Sequence, residues 1–181
     1  YFARWSERGL SEEQITFIDE NTTDIQNSQT CNGYAITVES AITDGTESMI
    51  KLKLIAPEDV KLDAVNYFPG NDDCLFPDEE KKLAHWNGGW RCMREDERPN
   101  VVDIMFTIHE PIGEWSAWTL KIQDIYGTYE ENIGQTDYRQ WTERIAEGTW
   151  EIPVAFSVDG RDEIELIKDP VPGEVNIGLN K

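Results

Sequence analysis

Two runs of alternating apolar and polar residues, set back to back across Asp44-Gly45, leave this chain little choice of fold. Between Gly33 and Asp63, Tyr34, Ile36, Val38, Ser40 and Ile42 recur every second residue, and Ile50, Leu52 and Leu54 repeat the period after the turn. A period of two places each set on one face of an extended strand. Asp-Gly is a hairpin-turn pair and Ala56-Pro57 closes the second strand, so the stretch is expected to be a β-hairpin whose apolar face must be covered by more sheet.

The rest of the chain supplies that sheet. Val101–Ile108 reads as a strand with Val102, Ile104, Phe106 and Ile108 on one face and Val101, Asp103, Met105 and Thr107 on the other. Trp118, Leu120 and Ile122 mark another, expected to end at Tyr126-Gly127. Trp150, Ile152, Val154, Phe156 and Val158 mark a late one that turns at Asp159-Gly160 toward Glu163–Lys168. Because they share one face, Trp150, Ile152, Val154 and Phe156 are expected to be buried together. Ala64–Phe68 reads as a short strand stopped by Pro69-Gly70, and Asn87-Gly88-Gly89 as a hairpin turn with Trp86 and Trp90 as its closing pair. Two helices are expected. The first runs from Glu12 to Glu20, capped by Ser11 with Gln14, stapled by Leu10 and Ile15, and carries a narrow stripe of Ile15, Phe17 and Ile18 that suits a sheet edge. The second lies within Gln135–Glu147, where Tyr138, Trp141 and Ile145 have helical spacing. Asn21–Asn32 is polar and reads as a connector. Roughly eight short strands with little helix point to a mainly β fold, an immunoglobulin-like antiparallel β-sandwich with a short N-terminal helix.

Charge narrows function by exclusion. With 36 acidic and 16 basic residues, a net −20, the chain repels nucleic acid and anionic membrane surfaces. His109-Glu110 is followed at once by Pro111, so no zincin helix can start there, and His85 stands alone. Phosphate-cradling and nucleophile-elbow motifs are missing, and paired carboxylates carry no weight among so many acids. No catalytic residue, cofactor or resident metal is therefore assigned. Asn71, Asp72, Asp73, Asp78 and Glu79 could offer oxygen to Ca²⁺, but without EF-hand spacing they read as a solvated loop. Of Cys31, Cys74 and Cys92, only Cys74 and Cys92 are considered for a bridge, with Cys31 left over. Among seven tryptophans, Trp118 and Trp150 are in phase with core positions. Trp86, Trp90 and Trp115 lie near turns and form the candidate ligand surface, a possible stacking platform for sugar rings.

The segment GYAITVESAITDGTESMIKLKLIAPEDVKLD, together with EGTWEIPVAF at Glu147–Phe156, resembles domain of unknown function 4179, found in Firmicute proteins similar to anti-sigma factors. The resemblance covers Gly33–Val158 and rests on the Asp-Gly turn, the Ala-Pro after the second strand and the Gly-Thr-Trp before the late strand. It implies a domain outside the membrane, anchored by a single span in the parent protein, and brings no catalytic or ligand residues with it. On that basis residues 1–32 are expected to follow a membrane span, 33–168 to form the β-sandwich, and 169–181 to lead toward a further domain. The expected function is a non-enzymatic extracytoplasmic sensor or protein-interaction domain of a membrane-anchored regulator. Its partner would be an envelope protein or glycan, and it would meet the membrane only through a span outside this sequence. The alternative is a carbohydrate-binding module using Trp86, Trp90 and Trp115.

Overall fold

The computed structural model describes residues 12–44, 47–72, 74–78, 88–94, 96–109 and 117–157. Among the described residues one helix, α1 (Glu12–Asn21), precedes nine strands: β1 (Thr23–Cys31), β2 (Tyr34–Thr43), β3 (Ser48–Ile55), β4 (Asn66–Pro69), β5 (Leu75–Pro77), β6 (Gly88–Met93), β7 (Val101–Ile108), β8 (Ala117–Glu131) and β9 (Arg139–Ala155). They form two antiparallel sheets, so the chain is mainly β. The first sheet has the order β1-β2-β3-β7-β6. In the second, β8 pairs β9 along its whole length, β4 over Ile125–Thr128 and β5 over Trp118–Leu120.

The expected hairpin is present as β2 and β3, with Thr43 opposite Ser48. Gly45 lies outside the described residues, but Asp44 shapes the turn by accepting the Glu47 N–H at 2.8 Å. One core cluster draws on both sheets. Ile36, Val38, Leu52, Leu54, Val102, Ile104 and Phe106 come from the first, and Trp118, Leu120, Ile122, Trp150, Ile152, Val154 and Phe156 from the second. The inward face of β7 and the shared face of β9 are thus as the alternation predicts.

The period of two fails once within the hairpin. A bulge between Val38 and Ser40 shifts the register, so Ala41 joins Ile36 and Val38 in the main core while Ile42 faces away. Ile42 packs instead with Met49, Met105 and two residues of α1, Phe17 and Ile18. The helix therefore lies on the outer face of the first sheet and not on its edge. Its bounds agree with the sequence reading, but Leu10 and Ser11 fall outside the described residues.

Four further expectations are corrected. The polar connector at 21–32 is strand β1, which pairs β2 from Thr23↔Ala41 to Cys31↔Tyr34. Asn27 and Gln29 hide the pattern because their side chains bond the backbone of β9. Asn27 Nδ2 donates to Pro153 O at 2.9 Å, Gln29 Oε1 accepts from Glu151 N, and Asn32 Nδ2, in the turn after β1, donates to Glu147 O at 2.6 Å. Gly88 and Gly89 do not turn; they lie within β6 opposite Ile108 and Thr107. At Gly88 a Cβ would stand 2.1 Å from the Thr107 carbonyl oxygen, so glycine serves close approach there. The strand at Trp118 runs on through Gly127 to Glu131. Finally, the expected helix at 135–147 is a turn followed by the first half of β9. Tyr138 lies in the turn before β9, Trp141 faces Tyr129 within it, and Ile145 is an extra residue at one of two bulges against β8, so the helical spacing of these three is a coincidence of turn and bulge. The hairpin expected at Asp159-Gly160, the strand 163–168 and the tail 169–181 lie outside the described residues.

Candidate functional site

Beyond Thr128, where β4 stops pairing, β8 and β9 continue alone as a two-stranded arm. All ten residues from Glu131 to Gln140 are exposed. The sequence fixes the tip through residues that accept a left-handed backbone: Asn132 has φ 55° and Gly134 φ 79°. Gln135 N donates to Asn132 O at 3.0 Å, and Asn132 Nδ2 donates to Asp137 Oδ2 at 2.9 Å. Below the tip, Tyr129 and Trp141 sit directly opposite each other and stack, with centroids 5.7 Å apart and planes at 16°. Glu130 Oε1 accepts from Tyr138 Oη and from Gln140 Nε2, each at 3.0 Å, and Trp141 Nε1 donates to Glu143 Oε1 at 2.9 Å. The Tyr138 phenol is pushed above its ordinary pKa by desolvation and by the Glu130 carboxylate that it bonds.

This arm presents apolar area on a preorganised frame. Ile133 is 70% exposed at the tip and Tyr138 45% exposed beside it. Exposed aromatic and aliphatic groups held by a hydrogen-bonded turn can enter a partner without a large ordering cost. At its base, Asp124 has φ 53° and accepts the Gly148 N–H at 2.9 Å, while Arg144 lies 3.4 Å from both Asp124 and Glu147. The bulges sit here, where the arm leaves the body.

The residues singled out from sequence are not brought together on the described surface. Trp90 is half-buried on β6 and stacks on Phe106 at 4.2 Å with planes at 11°, so one face of its ring is taken by the core. It is neither a hairpin tip nor a free platform. Trp86 and Trp115 lie outside the described residues. Beside Trp90, a wholly apolar cavity of ≈ 20 Å³ between the sheets is a packing gap too small for a sugar or other organic ligand. Cys74, buried, and Cys92, half-buried, are not joined in a disulfide, and neither is Cys31. Cys92 Sγ accepts the Tyr67 N–H at 3.0 Å, and burial pushes its pKa up to about 11.

In the acidic loop, Asp73 and Glu79 lie outside the described residues. Asn71 and Asp78 are engaged with β8. Asn71 Nδ2 donates to Lys121 O at 2.8 Å while its Oδ1 accepts from Gln123 N at 2.7 Å, and Asp78 Oδ1 accepts from Thr119 Oγ1 at 2.9 Å. Among the described residues no group of three His, Cys, Asp or Glu side chains is placed to hold a metal ion. His109 follows β7, and its Nδ1 lies 2.9 Å from Glu47 Oε1.

A second polar feature, unseen in the sequence, lies on the outer face of the first sheet. Lys51 Nζ stands 3.3 Å from Glu39 Oε2 and 3.9 Å from Asp103 Oδ1. Lys53 Nζ stands 2.9 Å from Glu39 Oε1 and 3.7 Å from Asp103 Oδ1. Lys51 and Asp103 are each 1% exposed. The Glu39 hydrogen bond outweighs desolvation and holds Lys53 above the ordinary lysine pKa. Alternation gave these charges to the solvent side of strands, where lysine is unremarkable, so only packing could reveal their burial.

No family model matches the chain, and no curated protein does. Its fold is similar to the crystal structure of the conserved domain protein from Bacillus anthracis, with a TM-score of 0.51 at 14% sequence identity. The similarity covers 86% of this chain and 49% of that one, so the chain spans about half the length of that protein. At this identity the likeness is one of fold.

Proposed function

We propose that the chain is a non-enzymatic, extracytoplasmic sensor or protein-interaction domain of a membrane-anchored, anti-sigma-like regulator. In this reading it is an immunoglobulin-like β-sandwich that meets its partner through the β8–β9 arm. Two antiparallel sheets around a shared core support the architecture. The sequence resemblance supports the cellular setting, and the arm carries the interaction role: it exposes Ile133 and Tyr138 together on a hydrogen-bonded turn. Trp90, turned to the core, leaves the glycan-binding alternative without a specific observation in its favour.

Two measurements test this. Replacing Glu131–Gln140 in the parent protein by a two-residue Asn-Gly turn should leave the body folded and abolish signal-dependent transcription of the regulated genes. An unchanged response removes the arm from function. In intact cells, Gln135→Cys should react with a membrane-impermeant maleimide more strongly than wild type does. Reaction only after lysis overturns the extracytoplasmic placement.

A further inference from the structure

Lys51 and Asp103 lie on neighbouring central strands of the first sheet, and Lys51 reaches diagonally past Lys53, which stands directly opposite Asp103. The burial of Asp103 is costly as it stands. At 3.9 Å the ion pair is long, and neither Asp103 oxygen accepts a hydrogen bond, so the carboxylate has lost its water without full compensation. We propose that the chain converts this pair into an intramolecular isopeptide bond between Lys51 Nζ and Asp103 Cγ, with Glu39 as the proton relay.

The chemistry balances within the cluster. Proton exchange from the Lys51 ammonium to the Asp103 carboxylate gives a neutral amine and a neutral acid. The nitrogen lone pair attacks Cγ, and the C–OH bond breaks. Glu39, 3.3 Å from Nζ, takes the proton that the nitrogen sheds and returns it to the departing oxygen. One ammonium and one carboxylate become one amide and one water, with no oxidant or co-reactant. Amide formation is unfavourable between separate molecules in water. Two groups fixed side by side in a folded sheet react at an effective concentration far above any attainable in solution, and burial removes the water that would reverse the step. The second lysine does not compete. Lys53 Nζ is 3.7 Å from the same Asp103 oxygen, but it is 22% exposed to water and bound to Glu39 at 2.9 Å, which holds its proton more firmly. Its place is to hold the Glu39 carboxylate where the relay needs it.

Intact-mass spectrometry of the full, folded chain is the direct test. The expected mass is one water below that of the sequence, and digestion should give a branched peptide joining the Lys51 and Asp103 segments, with trypsin unable to cut after Lys51. Asp103→Ala and Lys51→Arg should each restore the full mass. Glu39→Gln, checked for native circular dichroism, should retain the full mass or lose water at least tenfold more slowly. A wild-type chain at its full mass overturns the proposal. So does a water loss mapped to a succinimide at Asp44-Gly45. A Glu39→Gln chain that closes as fast as wild type overturns the relay.

Discussion

Trp150 shows how much one residue can settle. It has no exposed surface, fills the core between the sheets, and donates its indole N–H to the Tyr34 carbonyl of the first sheet at 3.0 Å. Truncation removes ring volume and orphans that carbonyl. Trp150→Ala should therefore cost about 3 to 5 kcal/mol in urea unfolding, whereas Tyr138→Ala on the arm should cost under about 0.5 kcal/mol. Equal costs would mean that β9 is in the other register. Two other buried groups set the alkaline limit. Burial raises the Cys92 thiol from 9.0 to about 11 and the Tyr67 phenol from 10.0 to about 12. Both fold in their protonated, neutral forms. Their contribution is complete below pH 9 and is lost as pH rises through 11 and then 12. The urea midpoint should fall across that window, and Cys92→Ala should make the first part of the fall shallower; a midpoint flat to pH 11 would contradict the burial of both groups.

At the scale of elements, the sheets are closed on each other by side-chain amides. Asn66 Nδ2 donates to Trp90 O at 2.9 Å and its Oδ1 accepts from Cys92 N at 3.1 Å, so one amide serves the outer edge of β6 as a strand would. Asn71 does the same for β8, and Asn27 and Gln29 for β9. Asn66→Ala leaves two edge groups without these partners and should lower stability by about 1 to 3 kcal/mol in thermal or urea melts; a change within error would show that water replaces the amide. This device also explains what the sequence could and could not reveal. β3, β7 and the second half of β9 were legible because their apolar residues keep a strict period against one core. β1 was not, because its partner-facing residues are amides that look like a loop. The arm imitates a helix because a turn holds Tyr138 and a bulge displaces Ile145, so their spacing with Trp141 is not that of a regular strand, and a bulge leaves no mark in a single sequence. For the same reason alternation does not mark Ile133 and Tyr138 as a contact surface, while the Asn-Gly-Gly before Trp90 imitates a turn where Gly88 and Gly89 are in a strand.

For the molecule as a whole, the net −20 acts against compactness. Salt screens exposed charges, so raising NaCl from about 0.01 to 0.5 M should raise the melting temperature. Millimolar Ca²⁺ should add no more than NaCl of equal ionic strength, since only a ligand held by the native state stabilises it further. A rise of several degrees specific to Ca²⁺, lost in Asp72→Asn, would reveal a site in the loop. The amide-closed edges have one more consequence, which concerns time. Asn32 is followed by Gly33, the neighbour least able to shield an asparagine from cyclising onto the chain, and its Nδ2 is the donor to Glu147 O. When that amide hydrolyses, a donor becomes an anion facing a carbonyl, and the contact between the two sheets turns from attraction to repulsion. The protein thus carries a slow chemical clock at one corner. Stored samples should show a gradual loss of thermal stability in step with deamidation at Asn32, and Asn32→Asp should reproduce at once the part of that loss that comes from the new charge.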